Sequence, residues 1–183
     1  SDLTAAGLGG GSSDGTHTLL LLDKLFDLQL DKKTIKSYAE LLGSDCAFFV
    51  DNEVRMGSEK GNVLTPIELY DLVDKYIYII KPPIYISTPQ AYAMAEVRKS
   101  FNSLKSLLLK PIYQWKNNVF NDFEKWIFKS YPVLDSLKKQ LYQHGAVYAS
   151  MSGSGSSIYG IFDSMPEKIN SFPPDYFQWI GKL

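Results

Sequence analysis

The chain has 183 residues, 45% of them hydrophobic and 21% charged, enough for one large domain or two small ones with cores of useful size. A net charge of −1 gives nucleic acid and anionic membrane surfaces no electrostatic hold as main partners, and no apolar run approaches the roughly 20 residues that span a bilayer. The single cysteine, Cys46, excludes an internal disulfide and a cysteine-based zinc site and fits a reducing cytoplasm.

In chain order, the first segment is rich in Gly and Ala and ends in Ser12-Ser13-Asp14. The leucines and Phe26 between Thr16 and Leu30 have helical spacing, and Ser12, Ser13 and Asp14 are candidate N-caps for that helix. Lys32–Leu42 reads as a second helix, broken by Gly43-Ser44-Asp45. Cys46–Val50 reads as a short buried strand or turn, and Val54–Leu64 as loop with short strands.

Tyr76–Ile80 is β-branched and aromatic, a strand signal that Lys81-Pro82-Pro83 ends; Ile84–Ile86 is a candidate second strand. Thr88 and Pro89 start a helix that runs towards Arg98. The Lys- and Leu-rich stretch from Phe101 to Trp115 is ambiguous. Two helices follow, Asn117–Ser130 and Pro132–Gln143, the second with a core-facing stripe at Leu134, Leu137 and Leu141 and with Gly145 as its C-cap. Strands at Ala146–Met151 and Ser156–Phe162 flank Ser152-Gly153-Ser154-Gly155, and the last twenty residues form a short segment and a strand. The order points to an α+β architecture: residues 74–183 form an α/β sandwich with helices on one face of an antiparallel sheet, and residues 1–73 the remainder of a separate unit.

Gly7-Leu8-Gly9-Gly10-Gly11-Ser12-Ser13-Asp14 is the chemically informative segment. Glycine backbone can approach an anion closely, and a helix starting beyond it adds about half a unit of positive charge. The hydroxyls of Ser12 and Ser13 can bind a phosphate oxygen or a magnesium ion. A flexible Gly/Ser linker explains the composition equally well; Leu8, an apolar anchor inside the run, and the capping residues at its end weigh against that. It is not a Walker loop, because no Gly-Lys-Ser/Thr follows. The second Gly/Ser segment, around Gly153, Ser154, Gly155 and Ser156, is either a hairpin turn or a polar backbone surface facing a ligand. Asp45, at the junction before an apolar run, is either a helix cap or a general base. His17 lies within a helix and His144 at a helix end, where surface and dipole contacts account for them.

These segments carry a resemblance. Gly7–Asp14 closely resembles the second motif of the GHMP kinase superfamily, in the Gly-Gly-Gly-Ser-Ser form of its 4-diphosphocytidyl-2-C-methyl-D-erythritol kinases. Leu42–Phe49 is similar to that family's Leu-Gly-Ala-Asp-Val-Pro-Phe-Phe, Asn121–Glu124 to its Asn-Asp-Leu-Glu, and Gly145–Ser157 to its third motif; Lys81-Pro82 and Ser87-Thr88 also match. The sequence departs from the family at Leu3, at Gly15-Thr16-His17, at Ala47 and at Glu59–Asn62.

The resemblance implies the two-domain GHMP kinase fold, with a ribosomal-protein-S5-like N-terminal domain. It implies transfer of the γ-phosphate of ATP, with Mg2+, to a hydroxyl of the cytidylyl methylerythritol substrate of the non-mevalonate isoprenoid pathway. Gly7, Leu8, Gly9, Gly10, Gly11, Ser12 and Ser13 would hold the ATP phosphates, Asp45 would be the base, and Gly153–Ser156 would shape the site. It also implies a partner lysine before Ser1, so that the chain reads as part of a longer protein and as inactive by itself. Another GHMP kinase, for mevalonate or homoserine, and a non-catalytic nucleotide-binding domain of that fold are the competing readings.

Overall fold

The computed structural model describes residues 7–58, 61, 63–95 and 103–183. Contacts divide the chain into two compact units, residues 9–68 and Leu69–Leu183, the latter joined by Gly7 and Leu8.

In the first unit, α1 (Gly10–Leu25) starts on the glycines themselves, at Gly10 instead of Thr16. Its N-cap, Gly9, is left-handed (φ 66°), and a Cβ added there would stand 3.0 Å from the Phe49 ring. Ser12, Ser13 and Asp14 therefore lie inside the helix and do not cap it. Poor glycine propensity hides this start in the sequence, and tertiary contact overrides it. α1 also stops before Leu30: Asp27 and Gln29 are left-handed, and the Asp23 carboxylate accepts the Leu30 N–H (3.0 Å). α2 (Lys32–Leu42) is capped by Asp31, whose Oδ1 accepts the Thr34 N–H (2.7 Å), a bond that lowers the Asp31 pKa.

Cys46–Asp51 is a helix, α3, and not the expected strand or turn. A short apolar run cannot be assigned by periodicity alone. Here Cys46 and Ala47 are buried, and Phe48 and Phe49 meet edge to face with centroids 5.1 Å apart. At its end the Asp51 carboxylate, 1% exposed, meets Lys32 (2.7 Å), Lys36 (2.6 Å) and Arg55 (2.7 Å). Burial alone would raise its pKa; the lysine hydrogen bonds and the Lys36 and Arg55 charges outweigh burial and hold the group at about 2. β1 (Arg55–Ser58) and β2 (Val63–Pro66) pair antiparallel, matching the short strands expected there.

The second unit holds an antiparallel sheet. β3 (Tyr76–Lys81) is followed by α4 (Thr88–Met94), whose expected run to Arg98 lies partly outside the described residues, and by α5 (Leu104–Leu108). Ile84–Ile86 is not a strand: Pro82 and Pro83 lack N–H donors, and Ile86 is instead buried in the core. A 3-10 turn at Ile112–Asn117 precedes α6 (Glu124–Ser130), so the expected helix from Asn117 is shorter. Asn121 breaks it, its Oδ1 accepting the Phe123 N–H (3.0 Å). α7 (Pro132–Gln143) has the expected bounds and is followed by left-handed Gly145 (φ 94°). β4 (Tyr148–Met151), β5 (Ile158–Phe162) and β6 (Phe177–Lys182) complete the sheet in the order β4-β5-β3-β6.

Strand alternation divides the core. Tyr78, Ile80, Ala149, Met151, Ile158 and Phe162 face the main core with Leu134, Leu137 and Leu141 of α7. Each fully buried leucine is worth about 1.5–3 kcal/mol. Tyr148 and Ile161, paired in register, face the other way and are covered by Ile112 and Trp115. The sheet is thus buried on both faces at β4 and β5, where the sequence indicates helices on one face only. Burial raises the Tyr148 hydroxyl pKa strongly and that of Tyr159 to about 12. Among the described residues no helix is long and apolar enough to cross a membrane.

Candidate active site

In the first unit, the glycine run is the N-terminal turn of α1. The first bond of the helix closes from the Ser13 N–H to the Gly9 carbonyl (2.8 Å). The N–H groups of Gly10, Gly11 and Ser12 precede it and have no side-chain cap. A Cβ added to Gly11 would meet nothing within 4 Å. The Ser13 hydroxyl lies 3.3 Å from His17 Nδ1, one turn further on.

Asp45 occupies the N-cap position of α3 but accepts no capping hydrogen bond. It is exposed, and its Oδ1 accepts a bond from the Ser44 hydroxyl (3.3 Å). The cap reading is therefore not realised, and the carboxylate stands at the surface instead of the partly buried setting expected of a base. Thr16 connects it to α1. Fully buried, its hydroxyl lies 2.9 Å from the Ser12 carbonyl and 2.8 Å from that of Cys46, the residue after Asp45. One hydroxyl thus fixes the first turn of α1 against the start of α3. The sequence showed Thr16 only as a departure from a familiar pattern; its role depends on a contact 30 residues away.

In the second unit, Gly7 meets the other Gly/Ser segment. The Ser152 hydroxyl donates to the Gly7 carbonyl (2.6 Å). A Cβ on Gly7 would stand 2.0 Å from the Ser152 carbonyl oxygen, and one on Gly153 3.3 Å from the Gly7 carbonyl oxygen. Gly7 (φ 73°), Gly153 (φ 52°) and Gly155 (φ 90°) are left-handed. Asn121 Nδ2 donates to the carbonyls of Met151 (2.8 Å) and Gly153 (2.7 Å), and the Thr88 and Ser154 hydroxyls are 3.3 Å apart. Ser156 is buried, its hydroxyl on the Ile84 carbonyl (2.6 Å). The segment is more than a hairpin turn: its Ser152 N–H to Ser157 carbonyl bond (2.9 Å) closes a loop clamped from four further places, Gly7, Asn121, Thr88 and Ile84. The sequence matches Asn121–Glu124 as a motif; the clamping role of Asn121 is not legible there.

Among the described residues, no group of three or more His, Cys, Asp or Glu side chains could hold a metal ion. A magnesium ion carried by nucleotide phosphates needs only one or two protein ligands, and the uncapped helix start suits the phosphates.

Comparison with known proteins bears on both units. The family described as GHMP kinases N terminal domain matches residues 3–52, and that described as GHMP kinases C terminal matches residues 98–170. A 4-diphosphocytidyl-2-C-methyl-D-erythritol kinase of Bacteroides thetaiotaomicron is 44% identical over 183 residues, covering 98% of this chain and 66% of its own. Those of Bacteroides fragilis (strain YCH46) and Azobacteroides pseudotrichonymphae genomovar. CFP2 are 43% and 45% identical, each over 91% of this chain and over 60% and 62% of their own. A crystal structure of 4-(cytidine 5'-diphospho)-2C-methyl-D-erythritol kinase aligns with TM-score 0.72 and 25% identity, over 86% of this chain and 57% of that one. A homoserine kinase from Cytophaga hutchinsonii aligns at 0.56 with 15% identity, a likeness of fold alone. The chain spans about 60 to 66% of the length of these curated relatives.

Proposed function

Because the chain belongs to the GHMP kinases, we propose that it carries the phosphate-holding and acceptor-activating groups of an ATP-dependent kinase acting on a hydroxyl of 4-diphosphocytidyl-2-C-methyl-D-erythritol. The observation that carries this reading is the start of α1, where three backbone N–H groups have no side-chain cap and Thr16 ties the helix to the residue after Asp45. The names of the relatives supply the acceptor.

Gly10, Gly11 and Ser12 donate to phosphate oxygens of the nucleotide, and the dipole of α1 stabilises their charge. Ser12 and Ser13 offer hydroxyls beside them. A magnesium ion bound with the nucleotide supplies charge neutralisation of the transferring group. Asp45 accepts the proton of the attacking hydroxyl, which raises that oxygen's nucleophilicity as the new P–O bond forms and the bond to the departing diphosphate breaks. Within the second unit, the Gly153–Ser156 loop fixes Gly7.

The test is ADP release by the full-length gene product with ATP, magnesium and a panel of alcohols. Turnover with the cytidylyl substrate at least a hundredfold above mevalonate and homoserine supports the reading. Preference for an alcohol without cytidine overturns the substrate, and absence of ADP with every acceptor overturns the kinase.

A further inference from the structure

β4 is an edge strand, so its outward backbone groups need partners. Side chains provide them. The Ala149 N–H donates to the Tyr142 hydroxyl (3.0 Å), and the Met151 N–H donates to Glu124 Oε1 (2.8 Å), which also accepts the Ser150 hydroxyl (3.0 Å). Glu124 is buried, and its other oxygen takes Lys138 Nζ at 2.6 Å.

Tyr142, Glu124 and Lys138 also line a cleft of about 810 Å³ between α6 and α7, where four more lysines gather: Lys116, Lys125, Lys129 and Lys139. The lining carboxylates, Glu124 and Asp135, are committed to Lys138 and Lys139 (2.6 Å each). Lys116 and Lys129 lie over aromatic rings, 4.4 Å from the Tyr142 centroid and 5.6 Å from that of Trp126. A cation resting on a ring keeps its N–H donors for an anion. The size is that of a small-molecule site, and five ammonium groups gather there on a chain of net charge −1.

We propose that this cleft binds a small phosphorylated molecule, and that its occupancy is transmitted to the Met151–Ser157 loop through Lys138 and Glu124. A phosphate oxygen that takes hydrogen bonds from Lys138 weakens that lysine's pairing with Glu124. Glu124 is the acceptor that fixes the Met151 N–H at the entrance to the loop, so the loop's population of states shifts with occupancy. The transmission rests on the reading of that loop as part of the active site; the binding does not. A lipid headgroup offers the same oxyanion. The two carboxylates in its lining favour a soluble ligand over an anionic surface.

The test is a ¹H–¹⁵N NMR titration of the chain with inorganic pyrophosphate, without magnesium. The expected result is a saturable shift of the Lys125, Lys129, Lys139 and Gln143 amides, with the Met151 amide moving in the same titration. In a Lys116→Gln, Lys129→Gln, Lys139→Gln variant the affinity at these amides falls at least tenfold, while shifts at Gly10–Ser12, which report the α1 site separately, are kept. No saturable shift in the cleft, or equal affinity in the triple variant, overturns the site. Cleft shifts with an unmoved Met151 amide overturn the transmission. Sedimentation with phosphatidylglycerol vesicles that the triple substitution abolishes assigns the cleft to lipid and overturns the soluble ligand.

Discussion

A single buried hydroxyl decides where the candidate base stands. The Thr16 hydroxyl, with one proton to give, stands within hydrogen-bond distance of the Ser12 and Cys46 carbonyls, so losing it removes the buried donor that ties α1 to the start of α3. Thr16→Val keeps the shape; the expected cost is about 1–3 kcal/mol in thermal unfolding, with a fall in kcat, and Thr16→Ser restores both. Gly7 is constrained more severely, because a Cβ would stand 2.0 Å from a backbone oxygen and its φ of 73° is left-handed. Gly7→Ala is expected to destabilise the second unit by at least about 1 kcal/mol, read as a lower melting temperature, with weaker nucleotide binding. Sequence reading marked Gly7 for a phosphate contact but could not see that its carbonyl is held by Ser152. Asp45 was visible as a junction residue, and only the structure showed that it makes no cap bond.

At the level of elements, α7 and β3 match their sequence signals, whereas α3 and the helix expected from Asn117 do not. α7 is legible because its three leucines share one stripe, and β3 because β-branched and aromatic residues run together. α3 was missed because six residues are too few to display a period. The helix expected from Asn117 is interrupted because Asn121 uses its side chain on two distant carbonyls, a demand no local pattern announces. α2, α3 and β1 meet at Asp51, and this junction gives the first unit an acid dependence. Its carboxyl is held at about 2 in the folded chain against 3.8 ordinarily. Because the folded pKa is depressed, the stabilisation is complete above about pH 4 and is lost as pH falls through about 2. Amide resonances of Lys32–Arg55 followed in denaturant from pH 5 to 2 are expected to show stability falling across that window. In Asp51→Asn the molecule is less stable at pH 5 and the fall is shallower.

For the whole molecule, the ordered motifs are legible in the sequence, and the family matches in both halves agree with them. Motifs depend on residue type and order, which a sequence preserves. The edge of β4 closed by Tyr142 and Glu124, and the lysine cleft beside it, depend on side chains brought together from separate helices, which a sequence does not display. We propose that the uncapped start of α1 and Asp45 serve as phosphate cradle and base. This pairing of roles is tested most directly by the rate of phosphate transfer from ATP to 4-diphosphocytidyl-2-C-methyl-D-erythritol in the full-length gene product, wild type against Asp45→Asn. The expected result is a kcat lower by about 10²–10⁴-fold with an unchanged melting temperature; a variant that retains kcat within threefold of wild type contradicts it.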